Sequence, residues 1–235
     1  MENRVKKLLR YFSRTEWTLW MSSVALIAIS FAVFDRENYL TLCASLIGAT
    51  SLIFNAKGNP IGQALTIIFS ILYGIISYTF AYYGEMITYL GMTMPMAIFA
   101  LISWLRNPYK GNRAQVKVNS LKAKEILLML AAAALITLAF YFILKACGTA
   151  NMIPSTISVT TSFIAVYLTF RRSPLYALGY AANDIVLIVL WILATIEDMT
   201  YLSVVICFAM FLINDIYGFV NWRKMRKKQA TDSAE

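Results

Sequence analysis

The chain has 235 residues, of which 60% are hydrophobic, and it carries a formal net charge of +9 without any histidine. A soluble domain fills its core with fewer apolar residues, so this composition indicates a membrane protein. Because histidine is absent, a histidine-based catalytic triad, an H-E-x-x-H zinc motif and a histidine proton relay are excluded.

Eight apolar segments approach the roughly 20 residues that a helix needs to cross a bilayer. They lack the alternating pattern of barrel strands, so we predict an all-α polytopic membrane protein with eight transmembrane helices. In chain order, the predicted helices are Trp17–Phe34, Tyr39–Phe54, Ile61–Tyr83, Met86–Leu105, Ile126–Leu144, Met152–Phe170, Leu175–Ile196 and Met199–Val220.

The basic residues predict the orientation of these helices. With both termini in the cytoplasm, only Arg36 and Lys145 of the 21 lysines and arginines fall on the far side. This is the positive-inside pattern, so the positive charge is explained by membrane topology and does not indicate a nucleic-acid partner.

The two termini are also basic. Basic and apolar residues alternate from Arg4 to Arg14, which predicts a short helix on the lipid surface. The basic tail after Trp222 is expected to be disordered and exposed.

A pattern that begins with a proline occurs twice, in Pro60–Met96 and in Pro174–Ile213. Each copy has a long apolar segment, an acidic turn with Thr-Tyr-Leu and a second apolar segment. Helices two to four therefore match helices six to eight in the same orientation, with helix five as a linker and helix one as an extra helix. A duplicated membrane unit suggests a transporter.

The repeat divides the chain into five parts. The predicted divisions are a basic N-terminus with the extra helix (1–38), a first three-helix bundle (39–106), a cytoplasmic loop with the linker helix (107–148), a second three-helix bundle (149–222) and a basic cytoplasmic tail (223–235).

Two Asn-Asp pairs lie inside predicted helices. Asn183 and Asp184 fall well within helix seven, and Asn214 and Asp215 fall in the inner half of helix eight. Polar residues are costly in hydrocarbon and tend to face a bundle interior or an aqueous path. Both carboxylates can attract a cationic solute or bind a proton, which makes them candidate substrate-binding residues. The alternative is that each pair only forms hydrogen bonds between helices.

Aromatic and acidic residues give further candidates. Five tyrosines on the polar faces can stack on a planar ring, although packing is the alternative. Glu85, Glu197 and Asp198 lie in short outer turns, where a solvated turn is expected and a cation-attracting vestibule is the alternative. No metal-ligand spacing, phosphate loop or nucleophile motif occurs, so we predict no enzyme, no metal and no cofactor. The tyrosines are Tyr73, Tyr78, Tyr176, Tyr180 and Tyr217.

Several short motifs occur together: Leu72-Tyr73, Ile76-Ser77-Tyr78, Tyr83-Gly84-Glu85, Pro95-Met96, Asn214, Tyr217-Gly218 and Trp222 followed by basic residues. With these motifs, the chain resembles the PnuC-type vitamin transporters, the bacterial nicotinamide riboside transporter family, over roughly Leu40–Lys228. The resemblance implies a fold like that of the SWEET sugar transporters and a site between the two bundles, on helices three, four, seven and eight. The substrate-binding residues expected from both lines of reasoning are Tyr73, Ser77, Tyr176, Tyr180, Asn183, Asp184, Asn214, Asp215 and Tyr217.

The resemblance also implies a function. The expected protein is a facilitator in the bacterial cytoplasmic (inner) membrane that imports a vitamin-type nucleoside, which a separate cytoplasmic kinase then traps by phosphorylation. Nicotinamide riboside is the expected substrate, because its pyridinium charge suits Asp184 and Asp215. Assembly into a homo-oligomer is left open.

One departure from the family keeps other substrates open. Members associated with nicotinamide riboside carry Trp-x-x-Trp and then an asparagine, where this chain has Tyr176, Gly179 and Asn183. A glutamine often found after Pro-Met is Ala97 here. Thiamine, riboflavin or a deoxyribonucleoside therefore remain alternative substrates. A non-transporting, ligand-binding membrane subunit is the alternative from another functional class.

Overall fold

The computed structural model describes residues 11–79, 82–149 and 151–233. These residues include eight helices long and apolar enough to cross a membrane, which confirms the predicted fold class. A short antiparallel hairpin, β1 (Pro108–Tyr109) and β2 (Asn112–Val116), lies between the fourth and fifth helices. The helices are α1 (Arg14–Phe34), α2 (Tyr39–Ala56), α3 (Pro60–Thr79), α4 (Tyr83–Arg106), α5 (Ala123–Ala146), α6 (Met152–Phe170), α7 (Tyr176–Glu197) and α8 (Leu202–Thr231).

Helix α4 changes its winding in the middle. It is α-helical over Tyr83–Thr88 and Met94–Arg106, and the turn between them, Tyr89–Thr93, is π-helical. Pro95 lies two residues after this turn, and a proline cannot donate the backbone hydrogen bond that an α-helix requires. The wider π turn accommodates this loss, and such turns are frequent at functional sites.

The C-terminal part of α8 corrects one expectation. The tail after Trp222 was expected to be disordered, but the helix continues to Thr231. The reason is a tertiary contact with the hairpin segment, because the Gln229 side chain donates to the Val116 carbonyl (3.1 Å) and accepts from the Val118 amide (2.8 Å). Most of the surface helix predicted at Arg4–Arg14 lies outside the described residues.

Six helices form a closed ring. Each contacts its two neighbours in the order α2, α3, α4, α6, α7, α8 and back to α2. We call α2–α4 the first unit and α6–α8 the second unit. Helix α1 packs outside the ring on α2 and α8, and the linker helix α5 packs outside it on α6. The ring therefore contains the three consecutive helices before the linker helix and the three after it.

Reciprocal hydrogen bonds tie the two units together at one end of the ring. Trp104, in the first unit, donates from Nε1 to the carbonyl of Thr169 in the second unit (3.0 Å). Trp222, in the second unit, donates from Nε1 to the carbonyl of Asn55 in the first unit (2.8 Å). Lys57 also lies at this end, which we call the basic end. Each unit thus caps a helix of the other by the same type of contact.

The residues that precede these tryptophans repeat the exchange. Ser103 Oγ donates to the Phe170 carbonyl (3.1 Å), and Asn221 Nδ2 donates to the Ala56 carbonyl (2.8 Å). All four accepting carbonyls belong to the last turns of α2 and α6, where a helix leaves carbonyl groups without an internal partner. The matched contacts are the pattern expected of two similar units in the same orientation.

Candidate functional site

One face of α7 carries most of the candidate chemistry. Tyr176, Tyr180, Asp184 and Trp191 recur at helical spacing, and all but the partly exposed Tyr180 are buried. At about 1.5 Å per residue, Asp184 lies about 12 Å along the helix from Tyr176 and about 10 Å from Trp191. The carboxyl group therefore stands between two aromatic levels of the same helix.

Asp215 lies at the corresponding level of α8. It is seven residues from Phe208 on one side and seven from Trp222 on the other. The carboxyl groups of Asp184 and Asp215 lie within interaction range of each other, and both side chains are buried. The tertiary structure therefore brings the two acidic candidates together, and we call them the carboxyl pair.

The carboxyl pair has no counter-charge among the residues that the structure describes. Neither aspartate takes part in an ion pair between described residues, and Asp184 Oδ2 is buried without a hydrogen-bond partner. Two adjacent carboxylates in a low-dielectric interior repel each other unless a proton or a cation neutralises part of their charge. The pair is thus suited to receive a positively charged group.

Aromatic side chains close the ring on the side of the pair away from the basic end. Trp191 Nε1 donates to the Tyr73 hydroxyl across the ring (2.6 Å). The Tyr73 ring lies 4.4 Å from Tyr89 and 5.5 Å from Phe208, and Trp191 lies 5.0 Å from Tyr82. We call these five residues the outer aromatic cluster. The cavity beside Tyr73 measures only about 10 Å³, so these rings fill this end of the ring almost completely.

A second aromatic group closes the ring at the basic end. The Trp222 ring lies 5.4 Å from Trp104 and 4.9 Å from Tyr176. We call these three residues the inner aromatic cluster. Tyr180 lies next to Tyr176 and within electrostatic range of both members of the carboxyl pair. The pair is therefore enclosed between two aromatic layers, an arrangement that suits a flat, cationic ring.

The two units contribute unequally to this site. Counted from Pro60 and Pro174, the first-unit residue that matches Asp184 is Ser70, whose hydroxyl donates to the Thr66 carbonyl of its own helix (2.8 Å). Counted from the two tryptophans of the inner cluster, the residue that matches Asp215 is Ala97. Both carboxylates of the pair thus come from the second unit.

The two asparagine candidates form contacts away from the pair. Asn183 Oδ1 accepts hydrogen bonds from hydroxyl groups on α6, including Thr161 and Ser162 (2.9 Å each). Asn214 Nδ2 donates to Ser23 on α1 (2.9 Å). In each Asn-Asp pair the asparagine thus bonds a neighbouring helix, while the aspartate faces the other aspartate.

The remaining candidates are divided between the two ends of the molecule. The Tyr217 hydroxyl donates to Glu16 on α1 (3.1 Å), near the basic end. Ser77 is fully buried on α3, and its hydroxyl has no hydrogen-bond partner. Tyr73 belongs to the outer aromatic cluster and Tyr176 to the inner one. The candidates therefore form no single contiguous group.

Tyr180 lies within electrostatic range of both members of the carboxyl pair, and Gly179 has another role. A Cβ atom at Gly179 would lie 2.8 Å from the Ala165 Cα atom, so this glycine allows α6 and α7 to approach closely. A tryptophan at position 179 would collide with α6 in this packing. The aromatic surface of this turn is accordingly supplied by Tyr176 and Tyr180.

Several residues of the site region were not among the candidates from the sequence, and Trp191, Tyr89 and Glu85 show why. Trp191 could have been found from its spacing of seven residues after Asp184, but Tyr89 lies in a π turn that the hydrophobic pattern does not reveal. Glu85 was expected in a solvated turn, yet its side chain is only 1% exposed. It is buried because Gly84 lets the start of α4 pack on Leu144, which a Cβ atom at position 84 would approach to 2.9 Å.

Comparisons with known proteins agree with this geometry. A family model described as nicotinamide mononucleotide transporter matches residues 38–224. The chain is 28% identical to the nicotinamide riboside transporter PnuC of Neisseria mucosa, over 91% of this chain and 84% of that protein. It is 22% identical to the protein of the same name from Haemophilus influenzae, over 89% and 90% of the two chains. A crystal structure of the vitamin B3 transporter PnuC is similar with a TM-score of 0.82, at 26% identity over 93% of this chain and 94% of that one.

Proposed function

Because the chain belongs to the nicotinamide mononucleotide transporter family, we propose that this multi-pass membrane transporter is a facilitator for nicotinamide riboside. The relatives from Neisseria mucosa and Haemophilus influenzae are both named nicotinamide riboside transporters, and each match covers most of this chain. The substrate passes through the ring between the first and second units.

The observation that carries this proposal is the carboxyl pair between two aromatic layers. Nicotinamide riboside has a flat pyridinium ring with a permanent positive charge and no negative group. In a site of low dielectric, the carboxylates of Asp184 and Asp215 attract such a charge more strongly than they would in water. Aromatic faces such as that of Tyr180 attract the same ring.

The charge distribution favours the nucleoside over the nucleotide that the family description names. A phosphate group carries between one and two negative charges at neutral pH. Such a group would meet the carboxyl pair, which has no basic partner among the described ion pairs. Arginine and lysine side chains lie instead at the basic end, for example Lys57 and Arg171. We therefore place the unphosphorylated nucleoside at the pair.

Release and retention of the substrate follow from the proposed orientation. We propose that the basic end and both termini face the cytoplasm, as the positive-inside rule favours, and that the membrane is the inner membrane of a bacterial cell, as the bacterial relatives suggest. A facilitator only equalises concentrations. Net uptake therefore requires a cytoplasmic kinase that converts the nucleoside to a nucleotide, and the carboxyl pair disfavours the return of that anion.

Thiamine is the second candidate substrate, since its thiazolium ring is also aromatic and cationic. Riboflavin and deoxyribonucleosides are uncharged at neutral pH, so neither would gain from the charge of the two carboxylates.

Binding titrations of the purified protein with nicotinamide riboside, its neutral reduced form, nicotinamide mononucleotide and thiamine separate these cases. We expect nicotinamide riboside to bind at least about tenfold more tightly than the reduced form, because a charge-assisted contact contributes roughly 1.5–3 kcal/mol. Equal affinity for the charged and neutral forms would contradict the proposed role of the pair.

Transport is tested separately from binding. Sealed vesicles that contain the protein, with a nucleoside kinase and ATP inside, should accumulate labelled nicotinamide riboside. Vesicles that lack the kinase should reach only the external concentration. Binding without any flux would identify a ligand-binding subunit and overturn the transport proposal.

The variant Asp184→Asn gives the sharpest test of the site. It keeps the size of the side chain and removes one charge, so we expect the affinity for nicotinamide riboside to fall by at least ~1 kcal/mol, or about fivefold. Affinity for the neutral reduced form should stay unchanged. Asp198→Asn is the matched control, because Asp198 is exposed at the opposite end from Trp222. Unchanged affinity in Asp184→Asn would make Asp184 a structural residue.

A further inference from the structure

Glu85 is a buried carboxylate that the proposed transport site does not use. It lies in the first turn of α4, on the side of the carboxyl pair away from the basic end, where Tyr82 and Tyr89 flank it in the sequence. Neither of its oxygen atoms has a hydrogen-bond partner. The hydroxyl of Ser158 lies close to the carboxyl group but donates to Asn183 (3.3 Å) instead. A charged group buried without a partner is costly, so Glu85 requires an explanation.

Three hydroxyl groups in segments that adjoin the start of α4 are also buried without hydrogen-bond partners. They belong to Ser77, Thr88 and Thr149. The Ser77 carbonyl accepts a hydrogen bond from the Tyr82 amide (2.8 Å), which places Ser77 beneath the turn that leads into α4. Thr88 follows Glu85 by three residues and so lies on the same side of the helix.

Thr149 brings a second part of the chain to this place. It follows α5, and its methyl group would lie 3.2 Å from a Cβ atom at Gly84, the residue before Glu85. Glycine at position 84 therefore allows the segment after α5 to pack against the start of α4. Together, the carboxylate and the three hydroxyl groups supply five buried oxygen atoms without a hydrogen-bond partner.

Such a set of oxygen atoms suits a hard metal cation. Hard metal cations are bound by carboxylate, hydroxyl and carbonyl oxygens. No described lysine or arginine forms an ion pair with Glu85. A single carboxylate among neutral hydroxyls balances one positive charge, whereas divalent cations are usually held by several carboxylates. A proton would neutralise Glu85 but would leave the surrounding hydroxyl oxygens without partners.

We propose that Glu85, with the hydroxyl groups of Ser77, Thr88 and Thr149, binds a monovalent metal cation of the size of sodium. The cation would connect α3 and α4 of the first unit to the segment that leads into the second unit. It would do so beside the outer aromatic cluster, at the end of the ring where the reciprocal hydrogen bonds of the basic end are absent among the described residues. This site goes beyond the proposed transport function and does not depend on the identity of the substrate.

The test uses the purified full-length protein without any nucleoside. Its thermal unfolding midpoint is measured while sodium chloride replaces choline chloride at constant ionic strength and slightly alkaline pH. A ligand that binds the native state raises the midpoint by mass action, so a saturable increase with sodium is expected. An identical response to sodium and choline would overturn the proposal, and so would a midpoint that depends only on pH.

Two variants test whether the effect of sodium on the unfolding midpoint depends on the Glu85 site. Glu85→Gln keeps the shape of the side chain and should abolish the sodium effect, whereas the exposed control Asp198→Asn should retain it. If Glu85→Gln fails to fold, Thr149→Val removes one hydroxyl and keeps the carboxylate. We expect this variant to need roughly tenfold more sodium, the lower end of the loss seen when a group that supports a metal site is removed.

The outcomes separate the two proposals. A sodium response that persists in Glu85→Gln or is unchanged in Thr149→Val contradicts the cation site, whatever nucleoside the protein binds. Conversely, a sodium response without any binding of nicotinamide riboside leaves the cation site in place and contradicts only the proposed substrate.

Discussion

The two ends of the helix ring are held together in different ways. At the basic end, Trp104 and Trp222 each donate a hydrogen bond to a helix terminus of the other unit, and their neighbours repeat the exchange. At the opposite end, the described tie across the ring is one hydrogen bond from Trp191 to Tyr73, surrounded by ring contacts. Glu85 lies there without a hydrogen-bond partner. Paired polar groups resist separation more than stacked rings do, so we expect the end at Trp191 to open more readily.

The largest effect is expected from removal of an inner-cluster tryptophan. Trp222 is fully buried and supports both the ring contact with Trp104 and the hydrogen bond to Asn55. Trp222→Ala should lower the free energy of unfolding by about 3–5 kcal/mol, as is usual for a large aromatic residue in a core. Phe99→Ala, at an exposed position of α4, is the control in thermal unfolding. Equal shifts in the two variants would show that Trp222 does not stabilise the basic end in this way.

A smaller effect is expected from Trp191→Phe, which removes the hydrogen bond to Tyr73 and keeps an aromatic ring. A net hydrogen bond contributes about 1 kcal/mol, so the open population should rise about fivefold. The buried thiol of Cys207, which lines the small cavity beside Tyr73, reports this opening through its rate of reaction with a small thiol reagent. Cys43 and Cys147 are exposed and are replaced by serine beforehand.

Trp104→Phe is the matched variant at the basic end, since it also removes one indole hydrogen bond between the units. It should leave the reaction rate of Cys207 close to the wild-type rate. If Trp104→Phe exposes Cys207 as much as Trp191→Phe does, the two ends do not open independently.

The smallest effect is expected at the surface of the basic end, where the Tyr109 hydroxyl donates to Asp232 (2.7 Å). This hydrogen bond raises the pKa of Tyr109 to about 12 and lowers the pKa of Asp232. The contact is therefore present at neutral pH, and it is lost below the usual aspartate range and as the pH rises toward 12. Hydrogen exchange of the hairpin amides should show constant protection between these limits. Asp232→Asn should raise the exchange rate at neutral pH and leave the unfolding midpoint almost unchanged.

Much of the fold was predictable from local properties of the sequence. The length and apolarity of each segment predict eight spans, because a bilayer of fixed thickness requires about 20 apolar residues per helix. Asp184 and Asp215 were identifiable for the same reason, since a carboxyl group inside an apolar segment is costly and therefore conspicuous. The order of apolar and polar residues along the chain thus determined the membrane class, the number of helices and the two acids of the pair.

Only the tertiary structure decided which side chains meet. Asn183 and Asp184 are neighbours in the chain, but one bonds α6 and the other faces Asp215, because successive residues of a helix point in different directions. The partner of Trp191 is Tyr73, on a helix of the other unit. Glu85 is buried through contacts with segments distant in the chain. Hydropathy records how apolar a segment is, whereas the rotation of each helix and its neighbours in the ring depend on packing between residues that are far apart in sequence.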